Sequence, residues 1–405
     1  MATTALTDIH NLKNWLGTCL VGRRDTIDTL LTSMIANEHV YFIGPPGTGK
    51  SLLAGLLSKA LTCQTKEIQF SRRTTEDEVF GPLDIKALVP DSGPSRYVRV
   101  KNPNVVYAQD AEVLIMDEPA NASPAILKGF HALLQERKYH DGEKWADAPL
   151  RICIGTSNEE LPDDCFALRD RFSIKKVESY LNGVESALMR NLHLNGTLTE
   201  AWSNVPAVKV DCFNEAHEEA KAVVWSKGAT KCLTTILANA EASGIVISDR
   251  TQLKCLDILR AFAYYQGATT VRKNHLIFAK RILWDELVDR EGIHAIIDDA
   301  IGSDARQIDE TGQVVCGWFD EAEIIEIKRV VEARRDGKAP SWHQRDECIE
   351  RAIGILKECQ VTGIRLRDDF DPEDTENLRN IIKHEATNLA NNLAYLGLNV
   401  VELMK

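Results

Sequence analysis

No apolar run in this sequence approaches the roughly 20 residues that a membrane-spanning helix needs, so no membrane span is expected. The opening stretch, MATTALTDIHNLKNW, has no basic segment leading into an apolar core, so it does not read as a secretory signal. The ten cysteines never pair as C-x-x-C, and none stands with histidine at zinc-ligand spacing. Scattered from Cys19 to Cys359, they read as reduced core residues in a reducing compartment, the cytoplasm. Excess positive charge is missing too: 48 Lys and Arg face 60 Asp and Glu, a net charge of −12. Non-specific nucleic-acid affinity comes from clustered Lys and Arg on phosphates, so this balance argues against nucleic acid as the main partner. There is no low-complexity segment and no repeat at solenoid period.

What is present is a chain of 405 residues, 44% hydrophobic and 27% charged, which suits a globular protein of two or three domains. Residues 1–180 alternate short apolar runs with helical patterns, the mark of an α/β domain. VYFIG (40–44), KEIQF (66–70), VLIM (113–116), RICIGT (151–156) and RFSIKKV (171–177) are strand candidates for a parallel sheet covered on both faces. From 181 to 303 helical periodicity takes over. Leu253, Leu256, Leu259 and Ala263 are expected to form one buried stripe, and Leu276–Leu287 a further helix. The stretch Asp304–Gly317 loses periodicity and is expected to be a linker. In 304–405 three helices are expected, at roughly 320–335, 342–360 and 372–403. The last carries Ile382, Ala386, Leu389, Leu393, Leu396, Val400 and Leu403 at heptad spacing. It reads first as part of a small bundle, with an intermolecular coiled coil as the alternative; Gly397 costs a long free coil roughly 1 kcal/mol.

The chemistry begins with GPPGTGKS, Gly44–Ser51, which fits G-x-x-x-x-G-K-[ST] between an apolar strand and a helical run. Gly44, Pro45, Pro46, Gly47, Thr48 and Gly49 form the loop, and the glycines let backbone amides approach phosphates. Leu52 continues into a helix whose N-terminus favours anions. Lys50 can reach β- and γ-phosphates, and the Ser51 hydroxyl can ligate magnesium. In VLIMDEP, Asp117 and Glu118 end a buried strand. Asp117 can hold the magnesium through water, and Glu118 can orient and deprotonate an attacking water. Asn158 ends the RICIGTSN strand as a candidate hydrogen-bonding partner for water or γ-phosphate. In ALRDRF, Arg171, with Arg169 as second choice, is a candidate arginine finger; the alternative is a pair of surface arginines in salt bridges of little consequence. Beyond the sensor strand it is expected to reach a neighbour's loop rather than its own, which implies a ring. Arg250 opens a helix capped by Ser248 or Asp249, where the dipole does not favour it, and is expected to face nucleotide between two domains.

Taken together these parts resemble the AAA+ ATPases, and more finely the MoxR family, especially its RavA-like branch. The likeness rests on Phe70–Leu88, Met116–Gly142, IGTSNEELPDDCFALRDRF and VISDRTQLKCLDILRAFAYYQG, and covers about residues 1–300. The resemblance implies a P-loop αβα sandwich with a parallel sheet, an all-helical lid, and homo-hexameric rings with sites between subunits. It implies ATP with Mg2+, an adenine contact at Val21 within LVGRR, and β-hairpins near 80–105 and at RKYHDGEKW. No Asn-Lys-x-Asp guanine-reading motif occurs, which agrees with ATP. It also implies chaperone-like remodelling of a protein client, often with a partner carrying a von Willebrand factor A domain. Pro119 and the short C-terminal region depart from the RavA-like pattern, so partners that dock on an added insertion are not implied. A nucleic-acid-dependent motor or restriction-type NTPase, and a non-hydrolysing nucleotide switch, are the alternatives. The first predicts turnover stimulated by DNA or RNA, the second tight binding without turnover.

Overall fold

The computed structural model describes residues 4–303 apart from 90–95, 101, 103, 142–143 and 162–164, together with 307–308, 314–316 and 365–366. Residues 1–297 make one compact unit and 298–405 a second.

All five strand candidates are strands: β1 (Val40–Ile43), β2 (Thr65–Gln69), β3 (Val113–Asp117), β4 (Ile152–Ser157) and β5 (Ile174–Val177). They form one sheet in the order β2-β3-β4-β1-β5 with every pair parallel. β1 and β4 are buried along their whole length, which is why their sequences are continuous apolar runs rather than alternating ones. β2 lies at the edge and buries only Ile68.

Helices α1 (Thr4–Cys19) and α2 (Arg24–Ala36) precede the sheet. The sequence reading gave the first of these no helix, although Leu6, Ile9, Leu12 and Leu16 bury a stripe at helical spacing. α3 (Lys50–Ala60) follows β1, and α4 (Pro124–Glu136) follows β3, with Ser123 accepting from the Ile126 amide and Pro124 at its first position. After β5 the chain is mainly helical: α5 (Gly183–Leu194), α6 (Thr197–Ser203), α7 (Asp211–Ala220), α8 (Lys227–Ala242), α9 (Asp249–Tyr265) and α10 (Leu287–Ser303). Among the described residues no helix is long and apolar enough to cross a membrane. Cys19, Cys153, Cys165, Cys212, Cys232 and Cys255 are buried thiols, and Cys63 is half-buried.

Four expectations need correction. α9 buries Cys255, Ile258, Leu259 and Phe262, while Leu253 is 67% exposed and Leu256 only half-buried. The helix is rotated so that Lys254, part-buried, faces the sheet, where its Nζ donates to Glu38 Oε2 and Ser173 Oγ, both at 2.7 Å. Leu276–Leu287 is not one helix: a 3₁₀ run, Lys273–Arg281, stops before Ile282. The Lys280 carbonyl there accepts Trp284 Nε1 at 2.7 Å and pairs with His294 Nε2 at 3.0 Å.

The hairpin expected near 80–105 has antiparallel arms joined by a Leu83–Arg99 bridge, with Asp84 N donating to Val98 O and Val100 N to Pro82 O. Its first arm, however, winds into a helical turn, Ile85–Leu88, because the Asp84 carboxylate caps the amides of Lys86 and Ala87. The Asp-Ser-Gly-Pro turn lies outside the described residues. The second hairpin is as expected, with Lys138–His140 antiparallel to Trp145–Asp147; Gly142 is outside the described residues.

Within the expected linker, Gln307–Ile308 pairs antiparallel with Val314–Cys316, which also pairs parallel with Arg365–Leu366. Backbone pairing needs no hydrophobic periodicity, the signal whose loss suggested a linker. The three C-terminal helices and their heptad seam fall outside the described residues.

Candidate nucleotide site

The carboxyl ends of the parallel strands finish level, and ligands of open α/β sheets bind at that edge. Ile43 pairs with Ser157, and Asp117 with Thr156. That register brings the loop after β1, the acids after β3 and the polar end of β4 into one place.

The loop is built for close approach. Gly47 and Gly49 have φ of +78° and +88°, and a side chain at Gly47 would meet nothing within 4 Å. Gly44 is fixed by crowding instead: a Cβ there would stand 2.5 Å from the Glu178 carbonyl oxygen. Pro46 and Gly47 are exposed, Pro45 is half-buried and Thr48 is buried. Lys50 is only 6% exposed. Its ammonium donates to Gly44 O at 2.6 Å, Pro45 O at 3.0 Å, Thr48 Oγ1 at 3.3 Å and Asn158 Oδ1 at 3.4 Å. Burial pushes the Lys50 ammonium below the ordinary lysine range, and the charges of Glu118 and Asp117 work against that shift. A buried cation held by neutral carbonyls at a glycine loop is a fitting partner for phosphate oxygens. Leu52 is 43% exposed on the first turn of α3.

The acids are held in part by Thr156 and Ser157, which the sequence reading did not single out. Asp117 Oδ1 accepts from Ser51 Oγ at 2.9 Å and from Thr156 Oγ1 at 2.5 Å. Glu118 has a left-handed backbone, φ 54° and ψ 47°, unusual for a residue other than glycine and costly without support. Its amide donates to Thr156 O at 2.7 Å and its carbonyl accepts from Asn121 N at 3.0 Å. The turn points its carboxylate at β4, where Oε2 accepts from Ser157 Oγ at 3.1 Å and from the Asn158 amide at 3.3 Å. Asn158 thus touches both Lys50 and Glu118.

Magnesium prefers oxygen donors and takes one or two carboxylates with substrate phosphates and waters. The Ser51 hydroxyl and Asp117 carboxylate, 2.9 Å apart, fit such an ion. Among the described residues there is no cluster of three or more His, Cys, Asp or Glu able to hold a metal alone, so phosphates would supply further ligands.

A second missed group braces the loop from below. Arg23 Nε donates to Thr48 O at 2.8 Å, Nη2 to Ser179 O at 2.8 Å, and Nη1 pairs with Glu178 Oε2 at 3.2 Å. Thr26 Oγ1 donates to Glu178 Oε1 at 2.6 Å. Glu178 in turn walls off Gly44. Just before Arg23, Leu20 approaches Gly49 and Val21 is half-buried, so the LVGRR stretch lies beside the loop.

Arg171 and Arg250 are elsewhere. The segment 170–173 enters β5, whose start pairs with the start of β1: Ile174 N donates to His39 O, and Ser173 Oγ to Glu38 Oε2 at 2.6 Å. Glu38 and Gly44 flank β1, a run of about 20 Å at roughly 3.3 Å per residue. Arg171 Nη1 donates to Asp170 Oδ2 at 2.7 Å, and Arg250 Nη1 to the same oxygen at 3.2 Å. The structure places Arg250 against Asp170, toward the end of the sheet away from its own phosphate loop. Burial and the charge of Arg250 push the Arg171 guanidinium below the ordinary arginine range, opposed by Asp170. Arg169 pairs with Glu286 at 3.2 Å.

A cleft of about 1190 Å³ opens away from the phosphate loop, between the 76–110 segment and the 138–147 hairpin, lined by Phe80, Arg99, Tyr107, His131, Tyr139 and Trp145. It contains none of the residues that point to phosphate chemistry.

Residues 7–213 match the family described as the MoxR domain in the MoxR-vWA-beta-propeller ternary systems, and residues 230–297 match an AAA lid domain. An uncharacterized protein of Methanocaldococcus jannaschii is 30% identical over 360 residues, 88% of each chain. A second from the same organism is 33% identical over 280 residues, 69% of this chain and 72% of its own. A Lon protease of Methanosphaera stadtmanae is 26% identical over 193 residues, 44% of this chain and 22% of the protease. A crystal structure from Cytophaga hutchinsonii, of a protein named as a candidate ATPase, superposes with a TM-score of 0.57 at 17% identity, covering 72% of this chain and 94% of its own. That likeness concerns the fold.

Proposed function

The chain belongs to the MoxR family of AAA+ ATPases, and on that footing we propose that it hydrolyses ATP between neighbouring copies of itself to remodel a protein client. One observation supports hydrolysis most: Lys50, Ser51, Asp117, Glu118 and Asn158 converge at one strand edge through direct hydrogen bonds. In this reading the loop amides from Gly44 to Gly49 and the Lys50 ammonium hold the phosphates. Ser51 and Asp117 would hold magnesium, which when bound would supply charge neutralisation to the phosphates. Glu118 turns from Ser157 to a water and accepts its proton as the water oxygen bonds to the γ-phosphorus. The bond from that phosphorus to the β–γ bridging oxygen breaks, leaving ADP and phosphate.

The position of Arg171, about 20 Å along the sheet from its own loop, supports its use as a finger on a neighbour. Head-to-tail repetition of such a contact closes into a ring, for which a homo-hexamer is the family expectation. Residues 1–180 serve as the nucleotide domain, 181–303 as the lid and 304–405 as a C-terminal domain. Val21 serves as the adenine contact. The matched family description names MoxR together with vWA and β-propeller proteins, which supports a von Willebrand factor A domain partner here. The RavA-like assignment and a cytoplasmic setting are the finer parts of the same proposal.

Glu118→Gln tests the reading. Loss of a positioned general base lowers turnover on the order of 10²–10⁴-fold, and binding of ATP should persist. Intact turnover in this variant overturns the hydrolytic assignment.

A further inference from the structure

Asp170 lies between two arginines contributed by different parts of the fold. Arg171 belongs to the segment entering β5, and Arg250 to the first turn of α9. Both donate to one carboxylate oxygen, at 2.7 and 3.2 Å. The side chains of Asp170, Arg171 and Arg250 are 24%, 15% and 36% exposed, so the cluster is partly withdrawn from water. The other cations nearby have acids of their own. Lys175 pairs with Asp285 at 2.7 Å and Arg169 with Glu286 at 3.2 Å. α9 cannot drift from the sheet easily, because Lys254, one turn beyond Arg250, is bound to Glu38 and Ser173. Two guanidiniums in so small a space repel each other unless a carboxylate lies between them. With it, the group keeps a net single positive charge and two donor forks, which suits the charge spread over a phosphoryl group in transfer.

We propose that Asp170 is a positioning residue that gathers Arg171 and Arg250 into one unit presented to the γ-phosphate bound by a neighbouring copy of this chain. The inference rests on the reading of Arg171 as a finger acting between subunits. Asp170 touches no substrate; it fixes where the two arginines stand and ties the lid helix to the finger, so that both arrive together.

The test is steady-state ATP turnover of the full chain at high protein concentration. The variants are Arg171→Ala, Arg250→Ala, Asp170→Ala, Asp170→Asn and the double variant Asp170→Ala/Arg250→Ala. Arg171→Ala should lose on the order of 10³-fold in kcat. Asp170→Ala should lose at least about 10-fold in kcat while KM for ATP stays within about 3-fold, the pattern of an interaction made only in the transition state. The double variant should fall no more than about 3-fold below Asp170→Ala, because residues acting as a unit are not additive. Asp170→Asn, which keeps an acceptor, should recover part of the loss, and it carries the test if the alanine variant does not fold. Undiminished kcat in Asp170→Asn and Asp170→Ala while Arg171→Ala collapses overturns the proposal and leaves the finger standing. So do losses that multiply in the double variant. Undiminished turnover in Arg171→Ala overturns the finger reading itself, and the proposal with it.

Discussion

Arg23→Ala should destabilise the first unit strongly, although Arg23 touches neither catalytic acid and meets the phosphate loop only at the Thr48 carbonyl. The Arg23 and Glu178 side chains are only 10% and 3% exposed, so this is a buried pair. Removing one partner of such a pair generally costs about 3–5 kcal/mol, because the other charge stays buried. Here Glu178 retains Thr26 Oγ1 at 2.6 Å and Lys176 Nζ at 3.4 Å, which places the expected loss near the lower end, about 3 kcal/mol. Large domains lose roughly 2–4 °C of melting temperature per kcal/mol, so a fall of about 6–12 °C is expected. The assay is thermal unfolding followed by circular dichroism, with Glu178→Gln and the double variant alongside. Glu178→Gln removes the charge that Arg23→Ala strands, so the double variant should be less destabilised than the sum of the two. Loss of the Arg23 bond to Thr48 O should also loosen the loop and raise KM for ATP. A melting shift under about 2 °C, or strict additivity with Glu178→Gln, refutes the claim that this pair braces the loop.

Other outcomes follow from single contacts. Gly44→Ala puts a methyl 2.5 Å from a backbone carbonyl that has no room to move, because Glu178 N is itself bonded to Ile43 O at 2.6 Å; overpacking of this kind costs about 1–3 kcal/mol and should abolish retention of ATP in a filter assay. Burial holds the His275 imidazole down at about 4, so the unfolded chain takes up its proton first as pH falls. Stability from this ring is complete above about pH 6.5 and declines between about 6.5 and 4, by about 3 kcal/mol in all; denaturation in buffers across that range should show a shallower acid decline for His275→Asn.

The sheet was legible chiefly because β1, β3 and β4, buried on both faces, announce themselves as apolar runs; the flanking β2 and β5 carry weaker runs around Ile68 and Ile174. The phosphate loop and the Asp117–Glu118 pair were legible because their chemistry is contiguous along the chain. What escaped was held by contacts between distant segments. Thr156 and Ser157 look like ordinary strand residues until the register sets them against Asp117 and Glu118. Arg23 and Glu178 carry no local signal, since their pairing depends on α2 packing beside β5. The rotation of α9 escaped because a period fixes that a helix has a face, not which face; Lys254 and Glu38 decide that. Asp84 misled in the opposite direction, because a local side-chain cap overrode the strand pattern that Leu83 and Arg99 otherwise satisfy.

The central claim, a hydrolytic site completed between copies of this chain, is tested most directly by mixing Glu118→Gln with Arg171→Ala and measuring ATP turnover. Each variant alone should be nearly inactive. In a one-to-one mixture half the subunits keep Glu118 and half of their neighbours keep Arg171, so roughly a quarter of wild-type turnover should return. Turnover that stays at the sum of the two parents in fully mixed assemblies would contradict the account.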